Sequence, residues 1–386
     1  MMIEIKGVQF ENKGAELMLL AIVKMLNHEL KGVELCLHHN INSPYDKRAK
    51  LGAYQKVNLK KNIFDLNFLF YFIPTSIRRY FKQRFGIVSE ADVDVVLDAS
   101  GFSYGDQWSD LILRQTAQEI VRLKKQGKSY IFLPQSLGPF TRKNNRKYAK
   151  IAFEHADLVF ARELPSYENI SSLSDNNDNL YRAPDFTNLI EPSPNVDWDK
   201  YKDHIVFIPN SKMLSNKNKL TWWRDNYIST FVNLAQRALT QGEKVVILNH
   251  SGKDDLILCN DIREQLSAGV DIINIESALG VKSIIKQAKL VICSRFHGCV
   301  SALSQGVPCI ATGWSHKYKE LFMEYQSGQL LLDEKISESE LYTLFDECLV
   351  KRPELSSVLC EPGISYKNQS KEMWSKVIGI IKHRYH

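Results

Sequence analysis

Short, unbroken apolar runs recur along this chain, and between them lie stretches whose apolar residues return every three or four positions. "MIEIKGV" precedes "GAELMLLAIVKMLNHEL"; "VELCLHH", "DVVLDAS", "SYIFLPQS" and "DLVFAR" follow, with helical patterns between them. A second series holds "HIVFIPN", "KVVILNH", "DIINI", "KLVICSR" and "VPCIATG". A strand exposed on one face alternates apolar and polar residues; these runs do not, so both faces must be covered. Runs separated by helices read as parallel strands joined by crossovers. The fold class expected is α/β, with two Rossmann-like parallel-sheet domains facing a cleft.

At 386 residues the chain exceeds what one core usually serves. The segment "LIEPSPNVDWDKYKD" (Ile190–Asp203) interrupts the two series with prolines and charges, and reads as a linker. The expected division is an N-terminal domain over 1–195 on the acceptor side and a C-terminal domain over 196–363 on the donor side. A final amphipathic helix over 364–386 is free to pack back on the first.

A hydrophobic share of 44% and a charged share of 24% describe an ordinary globular chain. Net charge is +6, without a basic run that interleaves aromatics on a nucleic-acid module, so nucleic acid is not an expected partner. The excess suits an anionic small molecule or a membrane surface. The seven cysteines form no Cys-x-x-Cys pair and several lie inside apolar runs, as buried thiols in a reducing compartment do. The N-terminus lacks a signal-peptide layout, and no run reaches the ~18 apolar residues of a membrane span. A cytoplasmic location is expected.

Ligands of open parallel sheets bind beyond the carboxyl ends of strands, so the residues just after each apolar run deserve weight. After the first come Asn12 and Gly14, where a glycine lets backbone approach a ligand and a helix start favours an anion; a plain tight turn reads equally well. "DASGFSYGD" offers Ser100, Gly101 and Asp106 as a site lining, or equally a glycine-rich turn with a capping Asp. Gln135 ends "SYIFLPQ", before a shaped Gly138-Pro139 loop. Arg162 closes "DLVFAR", either as a ligand or as a structural cation paired with Glu163 or Glu168. Arg295 and His297 follow "LVICS", flanking Phe296, and small residues open the next helix; guanidinium, imidazole and helix amides together make an anion pocket. Trp314, His316 and Lys317 follow the next strand, and His250 and Asp254 follow "VVILN". No zinc-type spacing and no H-E-x-x-H occurs, so no metal is expected.

These segments together resemble the polysaccharide pyruvyl transferase family: "ENKGAELML", "DVVLDASGFSYGDQW", "FLPQSLGPF", "ARELPSYENI" and above all "SRFHGCVSALSQGVPCIATGWSHKYKELF", in that order. The resemblance implies a GT-B-like fold and transfer of the pyruvyl group of phosphoenolpyruvate onto two hydroxyls of a sugar, as a cyclic ketal. It implies that Arg295 and His297 stand in the phosphoenolpyruvate pocket, with Arg162 also a donor ligand. Glu163 stands where Asp is commoner, and "DASG" replaces a run of glycines. In that scheme His297 is the general acid, and His316, Asp106 and His250 are candidate bases in that order. Lys317 joins the donor residues, and Asn12, Gly14, Ser100, Gly101, Asp106, Gln135 and His250 are acceptor-side candidates. No cofactor is needed beyond phosphoenolpyruvate as donor. The sugar acceptor could be an oligosaccharide or lipid-linked. A nucleotide-sugar glycosyltransferase and a non-catalytic sugar- or anion-binding protein of the same fold are the competing readings.

One segment falls outside this scheme. "NIFDLNFLFYFIPTSIRRYFKQRFG" (Asn62–Gly86) joins an aromatic run to a cluster of cations. It reads as a buried helix leading into a solvated one, or as an element lying on the anionic inner surface of a membrane.

Overall fold

The computed structural model describes residues 1–193, 198–216, 218–267 and 269–385. The chain divides into two compact units, the first made of Met1–Phe10, Met18–Phe186 and Gln369–His386, the second of Glu11–Leu17 and Thr187–Asn368. The division in the main run therefore falls at Phe186/Thr187, whereas the boundary drawn from sequence at 195/196 lies outside the described residues. Glu11–Leu17 is the less foreseeable assignment, because nothing in a local pattern says that this turn joins the second unit.

The first unit holds strands β1 (Met2–Lys6), β2 (Glu34–His38), β3 (Tyr54–Lys56), a hairpin β4–β5 (Lys60–Lys61, Phe64–Asp65), β6 (Ile87–Val88), β7 (Val95–Asp98), β8 (Ser129–Gln135), β9 (Leu158–Ala161) and β10 (Leu180–Arg182). Eight of them form one sheet in the order β10-β9-β8-β7-β1-β2-β3-β6, parallel throughout. Helices α1 (Lys13–Glu29), α2 (Tyr45–Lys50), α3 (Thr75–Phe85), α4 (Asp110–Lys125), α5 (Lys143–His155) and α6 (Leu164–Ser171) connect the strands. The first turn of α1 is the part that clusters with the second unit. On the α4 face Leu113, Ala117, Ile120 and Leu123 recur at helical spacing and are buried.

The second unit has β11 (Ile205–Ile208), β12 (Val245–Leu248), β13 (Asp271–Ile273), β14 (Leu290–Cys293) and β15 (Cys309–Ala311) in a parallel sheet ordered β13-β12-β11-β14-β15. Every residue of β11, β12, β14 and β15 is buried, which is why those runs are continuously apolar. Between them run α7 (Thr221–Thr240), α8 (Gly252–Glu264), α9 (Ala278–Gln287), α10 (Phe296–Leu303), α11 (Lys317–Glu324) and α12 (Glu338–Val350). Trp223, Tyr227, Phe231 and Leu234 of α7 repeat every three to four residues and are almost fully buried, with Phe207 edge-on to Phe231 at 6.0 Å. Truncating a ring there should cost about 3–5 kcal/mol. The strand order reverses between β11 and β14, so the loops leaving those two strands part from each other and open a crevice at their carboxyl ends.

The final helix differs from expectation. It begins at Arg352, not at 364, and runs unbroken as α13 to Tyr385 with Pro362 inside it. No helix among the described residues is long and apolar enough to cross a membrane. All seven cysteines are free thiols, and only Cys360 is exposed.

Candidate functional site

In the first unit, the polar residues at strand ends are taken up by one another. Asp98, at the end of β7, accepts bonds from the Tyr104 and Tyr130 hydroxyls at 2.6 and 2.5 Å and from the Ser100 amide and hydroxyl at 3.0 and 2.6 Å. Ser100 is thus held by a capping aspartate. Gly101 adopts a φ of +70°, which explains a glycine there without a ligand. Beneath this lies a charge network that sequence reading missed. Lys56 binds Glu4 and Glu119, and Lys6 reaches Glu119 and the Tyr130 hydroxyl at 2.9 Å each. Glu4 and Lys6 are the polar alternates of β1, a period-2 signal that could have pointed to it.

Asp106 accepts from the Thr141 amide and hydroxyl at 2.7 and 2.6 Å, from Asn145 at 2.9 Å and from Arg142. Burial would raise its pKa, but the donors from Thr141, Asn145 and Arg142 outweigh that and hold it at about 2. It is a pin for the loop after β8, and a weak base. Gln135 is buried and donates to the Asp98 and Leu133 carbonyls. Arg162, also buried, pairs with Asp185 at 3.1 Å and Glu163 at 3.4 Å and donates to the Ser136 hydroxyl at 2.9 Å. The Glu163 pairing left open by the sequence therefore forms.

The second unit differs. Its β14 ends at Cys293, and Ser294 anchors the exit: its carbonyl accepts from Asn210 and from the Tyr318 hydroxyl at 2.8 Å each, and its hydroxyl meets those of Thr312 and Tyr227 at 2.6 and 2.8 Å. From this fixed point Arg295 caps α10 and His297 enters its first turn. Phe296 begins the helix rather than continuing the strand, so its burial does not come from strand alternation. Its ring stands edge-on to His297 at 5.5 Å.

Gly14 explains the position of His297. A Cβ built on Gly14 would lie 2.2 Å from the His297 Nδ1 atom and 2.5 Å from its Cγ, so only glycine leaves room for the imidazole. Sequence reading weighed ligand approach equally against a plain tight turn for that glycine; the structure adds a packing reason. Asn12 fixes the turn by accepting from the Gly14 amide at 3.0 Å and by bridging to Ser251. The Lys13 amide donates to the His250 carbonyl at 3.3 Å, and the Lys13 ammonium binds Glu16 at 2.9 Å and the Glu276 carbonyl at 2.6 Å. Adjacent residues of one turn thus touch His250 and His297.

His250 follows β12 and is 1% exposed, and neither ring nitrogen has a hydrogen-bond partner among the described residues. Burial, and then the positive charge of Arg295, His297 and Lys13, push its pKa well below the ordinary imidazole value. It is a neutral ring in positive surroundings. The Nε and Nη2 atoms of Arg295 grip Asp255, on α8, with Nε to Oδ2 at 2.7 Å. Asp255 also accepts from the Ser211 amide and hydroxyl at 3.0 and 2.8 Å. The sequence reading chose Asp254, which is exposed; Asp255, one residue on, is the buried partner. The Nη1 side of Arg295 makes no hydrogen bond among the described residues and remains able to donate. Lys317 sits over the Phe296, Trp314 and Tyr318 rings at 4.9, 5.2 and 5.8 Å, while His316 is exposed at the start of α11.

Lys13, His250, Arg295 and His297 therefore gather beyond the carboxyl ends of β12 and β14, with Asp255 committed to Arg295 and Glu16 to Lys13. The arrangement favours a small polyanion. No group of His, Cys, Asp or Glu among the described residues could hold a metal ion.

The fold is shared with sugar-nucleotide enzymes. The UDP-GlcNAc 2-epimerase of Neisseria meningitidis bound to UDP-GlcNAc superposes with a TM-score of 0.62 at 11% identity, over 98% of this chain and 100% of that one. An S. aureus MnaA–UDP structure gives 0.58 at 12% identity over 99% and 96%, and a glycotransferase of kitacinnamycin 0.51 at 10% over 99% and 97%. At such identities the likeness fixes the fold, an α/β architecture of GT-B type with two parallel sheets. No curated protein matches by sequence. The family model described as Polysaccharide pyruvyl transferase matches residues 12–316, from the turn that makes room for His297 to the start of α11. This chain belongs to the polysaccharide pyruvyl transferase family.

Proposed function

We propose that the protein transfers the pyruvyl group of phosphoenolpyruvate onto two hydroxyls of one sugar, releasing phosphate, during synthesis of a polysaccharide or glycan. One observation carries the reading. A buried neutral imidazole, a guanidinium with a spare edge, a second imidazole and an ammonium meet at a strand-order reversal of the second unit. Phosphoenolpyruvate brings a carboxylate and a phosphate, and suits several convergent cations better than one.

In this scheme Arg295 and Lys13 hold the anionic groups. His297 donates a proton to the methylene carbon, and cationic character develops at the neighbouring carbon. A sugar hydroxyl attacks there; the carbon–oxygen bond to phosphate breaks with its electron pair, and a second hydroxyl closes the ketal. Of the two hydroxyl protons lost, one balances the new methyl hydrogen and the other leaves with phosphate. His250, neutral in the ligand-free site, is the base we favour over exposed His316 and donor-saturated Asp106. Lys317 braces the aromatic wall beside His297. The scheme gives Arg162 no step, since Asp185, Glu163 and Ser136 engage it within the first unit.

The test is phosphate release from phosphoenolpyruvate, screened against galactosyl, glucosyl and mannosyl acceptors, with thermal shift as a second readout. Acceptor-dependent release and a melting temperature raised by phosphoenolpyruvate are expected. A shift with UDP and none with phosphoenolpyruvate would replace this reading with a nucleotide-sugar transferase.

A further inference from the structure

Eleven of the large hydrophobic side chains left exposed among the described residues fall between Leu59 and Phe85. They begin on the β4–β5 hairpin with Ile63 and Phe64, continue through Phe68, Leu69 and Phe72 of a 3-10 turn, and end on α3. Phe72 is 78% exposed and Phe64 64%.

Helix α3 is turned inside out. An ordinary surface helix buries its apolar stripe and shows its charges to water. At helical spacing Ile77, Tyr80, Phe81 and Phe85 share one face, and all four are exposed; no residue of α3 is buried. The rings of Tyr80, Phe81 and Phe85 gather at 5.7–6.1 Å between centroids, so they form one apolar surface and not scattered side chains. The flank of that face holds the helix to its unit by charge: Arg78 binds Asp92 and the Ile73 carbonyl, and Lys82 binds Glu34. Ion pairs thus fix the helix so that its rings face outward.

Charge identifies what covers them. Arg84 is exposed on the ring-bearing side of α3, and Lys61 and Arg79 are exposed elsewhere along the same segment. The only carboxylate between Leu59 and Ser89 is Asp65, whose side chain is 2% exposed and bound by Arg122 and Lys60. A second copy would set these cations against their own images across a twofold axis, which is repulsive. Aromatic rings and unpaired cations on one segment match the headgroup zone of an anionic bilayer, where rings sit at the acyl boundary and cations meet lipid phosphates. We infer that Leu59–Phe85 is a membrane-surface docking element that lays the rings of α3 and Phe72 into anionic lipid. The inference stands apart from the proposed chemistry.

Flotation of the full chain with vesicles of mixed phosphatidylglycerol and phosphatidylcholine, or of phosphatidylcholine alone, tests it. Binding to the mixed vesicles at low salt, reversed by high salt, is expected. Arg79→Gln with Arg84→Gln should weaken partitioning about 30-fold through loss of two headgroup-level cations. Tyr80→Ser, Phe81→Ser and Phe85→Ser together should bring it to background with the melting temperature unchanged, since those rings pack on no core. No binding to mixed vesicles at low salt overturns the inference, as does equal partitioning into phosphatidylcholine alone. A wild-type dimer that the triple variant dissolves, without vesicle binding, overturns it in favour of a second copy.

Discussion

The two sheets present polar residues at their strand ends in similar numbers, yet their accounts differ. In the first unit Asp98 and Asp106 accept several bonds from neighbours within the unit, and Arg162 is ion-paired with Asp185 and Glu163. In the second, Arg295 and Lys13 each meet one carboxylate, Asp255 and Glu16, and His250 lies buried with no partner for either ring nitrogen among the described residues. A strand end rich in polar residues is therefore only an invitation to look. What draws attention to the second is a fully buried imidazole with both ring nitrogens unmatched, held beside a guanidinium and a second imidazole.

Substitutions should separate the two regions. The largest effect is expected in the second: His297→Ala should lower turnover on the order of 10²–10⁴-fold, as loss of a general acid does, with little change in melting temperature. Normal turnover in that variant would remove His297 from the chemistry. Arg162→Met should do the reverse, costing about 3–5 kcal/mol of stability by stranding buried Asp185 and Glu163, read by urea denaturation. A fully stable Arg162→Met with lost donor binding would move Arg162 from scaffold to site. Gly14→Ala should displace the His297 ring and cost on the order of 10²-fold in turnover while the fold survives. A crystal structure of that variant with the imidazole unmoved would refute the packing argument.

The smallest effect is a slope. His250 has a folded pKa below its unfolded value near 6.5, so below that pH the unfolded chain holds a proton that the folded chain refuses. Stability should thus fall as pH drops below about 6.5, by up to about 1.4 kcal/mol per unit from this group. His250→Asn should flatten that part of the profile, measured as the difference between variant and wild type. Equal slopes would mean that His250 is not held neutral.

The parallel sheets were legible because burial on both faces leaves unbroken apolar runs, and the Arg295–His297 cluster because two cations at the end of such a run serve no core. What stayed hidden depends on contacts through space. Asp254 and Asp255 are alike in sequence, and only the phase of α8 decides which turns inward to Arg295. The buried Lys56–Glu4–Glu119 network joins residues from β1, β3 and α4, so the polar alternates of β1 hint at it but no local pattern names the partners. The final helix was expected from 364, but α13 begins at Arg352 and runs through Pro362. The Asn62–Gly86 run read either as a buried helix leading into a solvated one or as a membrane-surface element, and the outward rings of α3 are seen only from the exposures and from the pairing of Arg78 and Lys82.

The vacancy at Gly14 that accommodates His297 has a consequence for inheritance and for protein engineering. Two positions nearly a chain length apart behave as one locus, since a larger residue at the first evicts the imidazole at the second. A hybrid enzyme spliced at Phe186/Thr187 from two parents would marry one parent's Glu11–Leu17 to the other's α10. Grafts that exchange the first unit and keep the second should carry that seven-residue turn along with the second.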